Sequence, residues 1–211
     1  MIHWFRGRCR SCGDVLLSNE LAGVCPPCRW GWPVFSDGEA TQQLGQTRAG
    51  MLVFGLGFRL CQGSGTQEVI HRAKYGAFPE TARSLGRWVA ERWQPPPSKA
   101  TLVPVPLHWR RRWKRGFNQA EAFAEGLSCV WDVHVDGDIL RRTIHKTSLT
   151  ANTRAERQKA LGQVFDAPPQ GAHRVILVDD VLTTGATARM CSEAMKLAGH
   201  EILGGVWMAM A

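Results

Sequence analysis

The stretch that decides the fold is RVILVDDVLTTGAT, residues 174–187. Its apolar start predicts a buried strand, and two carboxylates, Asp179 and Asp180, follow that run directly. A turn rich in threonine and glycine, residues 183–185, then leads into a predicted helix over residues 184–198. Such a turn places backbone N–H groups, hydroxyls and a helix N-terminus around one point, which is the usual composition of a phosphate site.

The two acids indicate what lies beside that phosphate. Carboxylates disfavour a phosphate but accept hydrogen bonds from the hydroxyls of a polyol. A phosphate next to a diol describes a ribose 5-phosphate. The simpler alternative is an ordinary strand–turn–helix in which Asp180 or Thr184 is the N-cap of the helix.

The pattern V-D-D-V-x-T-T-G-x-T resembles the loop of type I phosphoribosyltransferases that binds 5-phosphoribosyl 1-pyrophosphate (PRPP). The resemblance implies that Asp179 and Asp180 bind the 2′- and 3′-hydroxyls of the ribose. It also implies that the following residues bind the 5-phosphate: Thr183, Thr184, Gly185, Ala186 and Thr187. Glycine at position 185 permits a positive φ and a close approach of the backbone.

Length and composition allow one domain, or one domain with a small module: the chain has 211 residues, of which 44% are apolar. The net charge of +8 favours anionic partners without choosing among phosphorylated metabolites, nucleic acid and a membrane surface. The N-terminus lacks the apolar region of a secretory signal, and the longest apolar run, residues 51–60, is too short to span a bilayer. We therefore expect a cytoplasmic protein without membrane insertion, in which thiols stay reduced.

Two C-x-x-C pairs near the N-terminus, Cys9 with Cys12 and Cys25 with Cys28, predict a structural zinc site with four thiolate ligands. A thioredoxin-like redox pair at Cys25 and Cys28 is the alternative, but that motif follows a strand and opens a helix, and no such pattern surrounds it. Zinc ribbons either contact nucleic acid or serve as structural supports, and both roles stay open. The remaining cysteines lie in apolar surroundings and are expected in the core: Cys61, Cys129 and Cys191.

A second candidate site for anions follows a predicted strand at residues 101–106. Five cationic side chains lie within residues 110–115, and aromatic residues are interspersed with them. A strand end followed by Arg115, Gly116 and a helix N-terminus suits pyrophosphate. Guanidinium and aromatic groups together also suit single-stranded nucleic acid, and a solvated basic face is the third alternative. The candidate nucleic-acid contacts are Arg110, Arg111, Arg112 and Lys114.

Predicted strands and helices alternate along most of the chain, which indicates an α/β fold with a mainly parallel sheet. Sites in such sheets lie at the carboxyl ends of the strands. We expect a zinc-ribbon module at residues 1–35, a linker with a hood-like strand and helix region at 36–98, and the core at 99–211.

The motifs taken together resemble the ComF family. They are V-P-V-P-L-H-x-x-R-x-x-x-R-G-F-N-Q at residues 103–119, R-x-x-R at 154–157 and the V-D-D-V-x-T-T-G-x-T loop, behind a zinc ribbon. The resemblance implies a type I phosphoribosyltransferase-like fold, with a mainly parallel twisted sheet flanked by helices. It implies PRPP with Mg²⁺ as ligand, and Arg115, Gly116 and Lys74 at its pyrophosphate. It also implies a role in the uptake or use of external DNA (natural transformation), with single-stranded DNA and a helicase of the DNA-uptake machinery as candidate partners.

Three functions are compatible with the sequence. We favour a PRPP-binding, phosphoribosyltransferase-like protein of DNA uptake. The first alternative is an active phosphoribosyltransferase on an unknown acceptor, with Asp179, Asp180 and Arg115 as catalytic residues. The second is a non-catalytic factor that binds single-stranded DNA. The resemblance argues against a hypoxanthine or guanine acceptor, because Thr183 stands where oxopurine enzymes of this superfamily carry an aspartate base. The sequence has no G-x-x-x-x-G-K-[ST] motif, which argues against an ATPase motor.

Overall fold

The chain was analysed as a computed structural model. It describes residues 7–9, 12–14, 16, 23–25, 28–29, 31–35, 52–61, 65–75, 79–143, 164–168 and 171–211; the side chains of residues 68 and 72–75 are not among those described. In chain order the elements are β1 (Val53–Arg59), α1 (Gly65–Tyr75), α2 (Pro79–Ala90), β2 (Ala100–Pro104), α3 (Trp109–Arg115), α4 (Gln119–Trp131), β3 (His134–Val135), β4 (Arg141–Arg142), β5 (Phe165–Asp166), β6 (Arg174–Leu182), α5 (Ala186–Leu197) and β7 (Glu201–Met210).

The main sheet has five strands in the order β1-β7-β6-β2-β3, and every neighbouring pair in it is parallel. Strands β4 and β5 form a separate antiparallel pair. This confirms the predicted α/β class with a mainly parallel sheet flanked by helices. The chain passes from β2 outward to β3, but from β6 in the opposite direction to β7. The strand order therefore reverses between β2 and β6, and ligands of open α/β sheets bind at such a reversal.

The two faces of the sheet are covered by different helices. Along β6, Ile176 and Val178 belong to the hydrophobic cluster that also contains the inner faces of α2 and α4. Val175 and Leu177 belong to the cluster formed with α5. Because successive strand residues point to opposite faces, α5 covers one side of β6, and α2 and α4 cover the other.

Helices α2 and α4 pack with their backbones in close contact. A Cβ atom placed on Gly126 would lie 2.0 Å from the carbonyl oxygen of Arg83, and one on Gly86 would lie 2.3 Å from that of Phe123. Since α4 begins close to the carboxyl end of β2, this packing fixes one side of the reversal point.

The expectations about the later cysteines, the domain division and the location have different outcomes. The expected burial of all three later cysteines is wrong: Cys191 is buried, but Cys61 and Cys129 are exposed. The division into residues 1–35, 36–98 and 99–211 stays a prediction. In the part of the chain that the structure describes, no helix is long and apolar enough to cross a membrane. The cytoplasmic location also stays a prediction.

Candidate ligand site and metal centre

The connection from β6 to α5 brings together the groups expected to bind a ribose phosphate. Asp179 and Asp180 are half-buried near the end of β6, and α5 begins at Ala186. The N-cap is Gly185, with φ 71° and ψ 7°, and no side chain caps this helix. The alternative in which Asp180 or Thr184 is the N-cap is therefore wrong. The Thr184 hydroxyl accepts only a long bond of 3.4 Å from the Ala186 N–H.

The two aspartates differ in their surroundings. Asp179 Oδ1 accepts a hydrogen bond of 2.8 Å from the N–H of Asp180. Burial raises the pKa of the Cys191 thiol, Asp179 raises that pKa further, and Arg142 partly offsets the effect. Cys191 belongs to the cluster on the α5 side of the sheet, so the charge of Asp179 acts on that side. Asp180, the next residue of β6, does not contribute to this shift.

The connection from β2 to α4 forms the other side of the reversal point. The N–H of Val105 donates to the carbonyl of Val178 at 2.8 Å, which joins the two connections just before Asp179. The Asn118 side chain donates to the Val105 carbonyl at 3.1 Å and accepts from the N–H of Ala120 at 3.2 Å. Asn118 therefore closes the connection and caps α4.

Between these points the basic segment forms helix α3, which the sequence did not predict. His108 Nδ1 accepts from the N–H of Arg110 at 3.2 Å, and Gly116 ends the helix with φ 78°. No residue of α3 is buried, and the Trp113 side chain is 88% exposed. The helix is therefore held by its caps and presents its side chains to solvent.

The cations of this segment have different partners. Arg115 Nη1 donates to Gln119 Oε1 at 2.8 Å, and Arg112 Nη2 lies 3.8 Å from Glu121 Oε2. The Arg110 guanidinium stacks over the Trp109 ring, 5.2 Å from its centroid. Arg115 and Gly116 thus lie at the end of α3, next to α4. Lys74 lies in α1, but its side chain is outside the described residues, as is the whole R-x-x-R motif at 154–157.

Arg142, which no sequence motif indicates, is influenced by the charges of the two connections. Burial and the neighbouring charge of Arg111 lower the pKa of the Arg142 guanidinium, while Cys191 and Asp179 oppose that shift. Arg142 reaches this position because β4 pairs with β5, which is distant in sequence. No local sequence pattern carries that information.

The four N-terminal cysteines form a cluster that could hold a metal ion. The sulfurs of Cys9, Cys12, Cys25 and Cys28 all lie within 4.8 Å of one another, and none is in a disulfide. Those of Cys12 and Cys25 are 3.8 Å apart, and tetrahedral coordination with Zn–S bonds of about 2.3 Å separates sulfurs by about 3.8 Å. The N–H of Cys25 donates to Cys9 Sγ at 3.3 Å, as is usual for a thiolate ligand. The donor set therefore fits zinc.

This cysteine cluster is attached to the edge of the main sheet. Val34 forms an antiparallel bridge with Phe58 of β1. The Trp32 ring lies 5.0 Å from that of Phe58 and 5.7 Å from that of Trp88 on α2, measured between centroids. Cys9 belongs to the same hydrophobic cluster as these aromatic rings. The cysteine cluster and the α2 face of the sheet thus share one core.

Comparison with known proteins gives three informative relatives, while no protein-family model matches the chain. Competence protein F of Haemophilus influenzae is 33% identical over 104 residues, covering 47% of this chain and 45% of that protein. DNA utilization protein YhgH of Salmonella typhi is 36% identical over 129 residues, covering 56% of each. Competence protein ComFC of Bacillus subtilis is 33% identical over 103 residues, covering 47% of this chain and 40% of that protein. The chain spans about half the length of these relatives.

Fold and site define an α/β protein with a candidate ligand site at the reversal point of a parallel sheet and a cluster of four cysteines near its N-terminus. The identity of 33–36% to competence and DNA-utilisation proteins supports its assignment to the ComF family, as the motifs predicted.

Proposed function

We propose that the chain binds PRPP, or a related ribose 5-phosphate compound, between the carboxyl ends of β2 and β6, and that it acts in the uptake or use of external DNA. A type I phosphoribosyltransferase-like fold is part of this proposal. One observation carries it: two carboxylates lie near the carboxyl end of the central strand of a parallel sheet, and the helix that follows, α5, begins without a side-chain cap. An anion at that helix end would bind the first-turn N–H groups.

The aspartates and the turn would bind different parts of the ligand. Residues 183–187 would bind the 5-phosphate through backbone N–H groups and threonine hydroxyls. Asp179 and Asp180 would accept hydrogen bonds from the ribose hydroxyls. The pyrophosphate of PRPP would lie towards the end of α3, where Arg115 and Gly116 are found, with Mg²⁺ neutralising part of its charge. Lys74 stays a candidate at the same pyrophosphate.

The role in DNA use rests on the relatives. Their names refer to competence and to DNA utilisation, and they match this chain at 33–36% identity. A net charge of +8 is compatible with a partner that carries phosphates. A helicase of the DNA-uptake machinery is the candidate protein partner.

Titration calorimetry tests ligand binding directly. Wild-type protein is titrated with PRPP plus Mg²⁺, with ribose 5-phosphate and with unphosphorylated ribose. We expect PRPP and ribose 5-phosphate to bind and ribose to bind at least 100-fold more weakly, because charge-assisted hydrogen bonds to the phosphate supply much of the affinity. The variant Asp179→Ala/Asp180→Ala should lose PRPP binding while keeping its melting temperature. Wild-type affinity in that variant would refute the site.

The same preparation decides whether the site is catalytic. Release of pyrophosphate from PRPP is measured with each nucleobase, and with single-stranded DNA, as acceptor. Turnover that depends on Asp179, Asp180 and Arg115 would establish a phosphoribosyltransferase. PRPP binding without pyrophosphate release would leave a binding protein.

A second candidate function is binding of single-stranded DNA by α3. The observation that favours it is the full exposure of this helix, which carries Trp109, 49% exposed, and Trp113, 88% exposed, among cationic side chains. Bases stack on exposed aromatic rings while neighbouring cations bind phosphates. The Arg110 guanidinium already lies over one face of the Trp109 ring.

Salt-dependent affinity for labelled oligodeoxythymidylate tests this function. Each phosphate contact contributes about 0.7 to the slope of log affinity against log salt, so Arg110→Gln/Lys114→Gln should lower the slope by roughly 1.4. Trp113→Ala should weaken binding by about 1–3 kcal/mol without changing the slope. The variant Arg87→Gln/Lys196→Gln removes the same charge from α2 and α5. If both double variants behave alike, net charge explains the binding and α3 is not the DNA site.

We also propose that the four N-terminal cysteines hold one structural zinc ion. Apparent binding free energies of about 10–16 kcal/mol in zinc-finger peptides would suffice to order this small segment. Metal analysis should give one zinc per chain, lost in Cys25→Ser and retained in Cys61→Ser, which alters an exposed cysteine outside the cluster. Absence of zinc from wild type, or a disulfide among the four cysteines, would contradict the assignment.

A further inference from the structure

The segment that follows the cysteine cluster, residues 32–35, covers the edge of the main sheet. Strand β1 lies at that edge, with β7 as its neighbour in the sheet. On the other side of β1, Val34 forms an antiparallel bridge with Phe58. The N–H of Arg59 donates to the carbonyl of Pro33 at 2.8 Å. Because an edge strand exposes unpaired backbone groups, these contacts satisfy part of the edge.

The side chains of this segment lie on both faces of the sheet. Trp32 belongs to the hydrophobic cluster on the side of α2 and α4, where its ring lies against those of Phe58 and Trp88. Phe35 belongs to the cluster on the α5 side, and the Arg59 guanidinium lies over its ring, 4.5 Å from the centroid. Both Trp32 and Phe35 are buried. Residues 32–35 therefore hold β1 from both faces, and we call them the edge clamp.

Backbone hydrogen bonds connect the edge clamp to the cysteine cluster. The N–H of Arg29 donates to the carbonyl of Cys25 at 3.1 Å, and the N–H of Trp32 donates to the carbonyl of Arg29, also at 3.1 Å. A metal ion bound by all four thiolates would fix the backbone at Cys25 and Cys28, and the clamp begins four residues after Cys28. The position of the clamp thus depends on the order of the cysteine cluster.

The edge clamp is also linked to the elements on both sides of the proposed phosphate turn. Phe35 belongs to the same hydrophobic cluster as Leu182, the last residue of β6, and the inner face of α5. At the carboxyl end of β1, the N–H of Leu60 donates to the carbonyl of Met210 at 2.7 Å. The N–H of Ala211 in turn donates to the carbonyl of Leu182 at 3.0 Å. Displacing the clamp would therefore disturb the packing at the end of β6.

We infer that a metal ion at the cysteine cluster raises the affinity of the phosphate turn by holding the edge clamp over β1. The inference rests on the proposed function for the ligand and on the proposed zinc ion for the metal. Without the metal, the clamp would lose its support, and β1 would open at the edge before the rest of the sheet unfolds. Coupling between two sites is reciprocal, so the ligand would raise the affinity for the metal by the same factor.

Hydrogen–deuterium exchange of the full chain tests the structural part of this inference. Exchange is measured with zinc bound and after its removal by a chelator. We expect the amides of the edge clamp and of β1 to lose protection, while those of β2 and α4 keep it. Cys25→Ser should have the same effect without a chelator. The matched control is Cys129→Ser, which alters an exposed cysteine on α4 and should leave the protection of β1 unchanged.

Calorimetry with ribose 5-phosphate measures the coupling. Removal of zinc should weaken binding by about 5-fold or more, which is the lower end of typical coupling between two sites. Saturating ribose 5-phosphate should raise the zinc affinity, measured by competition with a chelator, by the same factor. Phe35→Ala should keep its zinc but reduce both factors, because it removes the contact of the clamp with the α5 side. Phe35→Leu, which keeps much of the apolar volume, should retain more of the coupling.

The outcomes separate this inference from the proposed function. Unchanged protection of β1 after zinc removal overturns the inference. An equal loss of protection in all strands also overturns it, since the metal would then support the whole fold rather than one edge. Loss confined to the clamp and β1, with unchanged ribose 5-phosphate affinity, refutes the coupling. If zinc-loaded wild type binds no ribose compound, the proposed function fails. Loss of protection confined to the clamp and β1 would then still support the role of the metal at the edge, and its absence would refute both.

Discussion

The two ends of strand β6 have different polar surroundings. At the amino end, Arg174 Nε lies 3.3 Å from Glu201 Oε2, and Arg174 Nη1 donates to the carbonyl of Ser98 at 3.3 Å. At the carboxyl end, Asp179 Oδ1 accepts a hydrogen bond from the N–H of Asp180, and the charges of Arg111 and Asp179 act in opposite directions on the pKa of Arg142. The amino end is thus held by contacts within the chain, whereas the carboxyl end leads into the turn before α5, which we propose as the ligand site.

The largest expected effect is a loss of PRPP affinity when either acid at the carboxyl end of β6 is replaced. Asp179→Asn and Asp180→Asn should each weaken PRPP binding by about 10-fold or more, because a hydrogen bond to a charged group contributes about 1.5–3 kcal/mol. Glu201→Gln removes one carboxylate from the amino end and should leave the affinity unchanged. Calorimetry measures all three variants, and thermal melting confirms that they fold. Equal affinities in the three variants would remove the distinction between the two ends.

The parts of this site that are local in sequence could be predicted. The apolar run of β6, the two acids and the turn follow one another in the chain, and the two C-x-x-C pairs have the spacing of metal ligands. Hydrophobic periodicity and side-chain chemistry suffice for such features. The exposure of Cys61 and Cys129 could not be read in this way, since apolar neighbours in sequence do not determine which face of an element is covered.

The parts that depend on tertiary structure were missed. Helix α3 has only two apolar residues, Trp109 and Trp113, and is too short for periodicity to reveal it; His108 and Gly116 cap it at its two ends. The charge of Asp179 acts on Arg142 only because β4 pairs with β5, and β5 packs against α5. The left-handed backbone at Gly185, by contrast, could be expected from the residue type, and it makes Gly185 the N-cap in place of the alternatives Asp180 and Thr184.

The second prediction uses two glycines in the left-handed conformation at opposite ends of β6. Gly185 has φ 71° and Gly171, before the strand, has φ 89°. Each substitution to alanine should lower the free energy of unfolding by about 1 kcal/mol, because a Cβ atom disfavours this conformation. Only Gly185→Ala should also weaken ribose 5-phosphate binding, since we propose that the backbone at Gly185 binds the phosphate. Urea unfolding and calorimetry measure the two effects, and a parallel loss of affinity in Gly171→Ala would show that strain alone causes it.

A smaller effect is expected from the ion pair at the amino end. The side chains of Arg174 and Glu201 are 43% and 64% exposed, and exposed pairs contribute about 0–1 kcal/mol. Arg174→Gln should therefore lower the free energy of unfolding by less than about 1 kcal/mol and leave every ligand affinity unchanged. Urea unfolding at low and high salt measures the first quantity. A change in PRPP affinity would show that the amino end is coupled to the site.

The smallest effect at neutral pH involves His200, which is buried beside the start of β6. Its Nδ1 accepts a hydrogen bond of 3.2 Å from the N–H of His173, so the imidazole is neutral with its proton on Nε2. Burial lowers the pKa of His200, and the nearby His173 lowers it further. Protonation would also turn Nδ1 into a donor facing the N–H of His173.

Because the pKa of His200 is lower in the folded state than in the unfolded chain, the free energy of unfolding decreases as the pH falls. Above the unfolded pKa of about 6.5, His200 is neutral in both states and its full contribution to stability is present. As the pH falls below that value, the unfolded chain binds the proton more readily than the folded chain, so stability decreases. His200→Asn keeps an acceptor near the position of Nδ1 but does not titrate, so its unfolding free energy should fall less between pH 7 and pH 5. Equal slopes for wild type and His200→Asn in urea unfolding would show that protonation of His200 does not lower the stability of the fold.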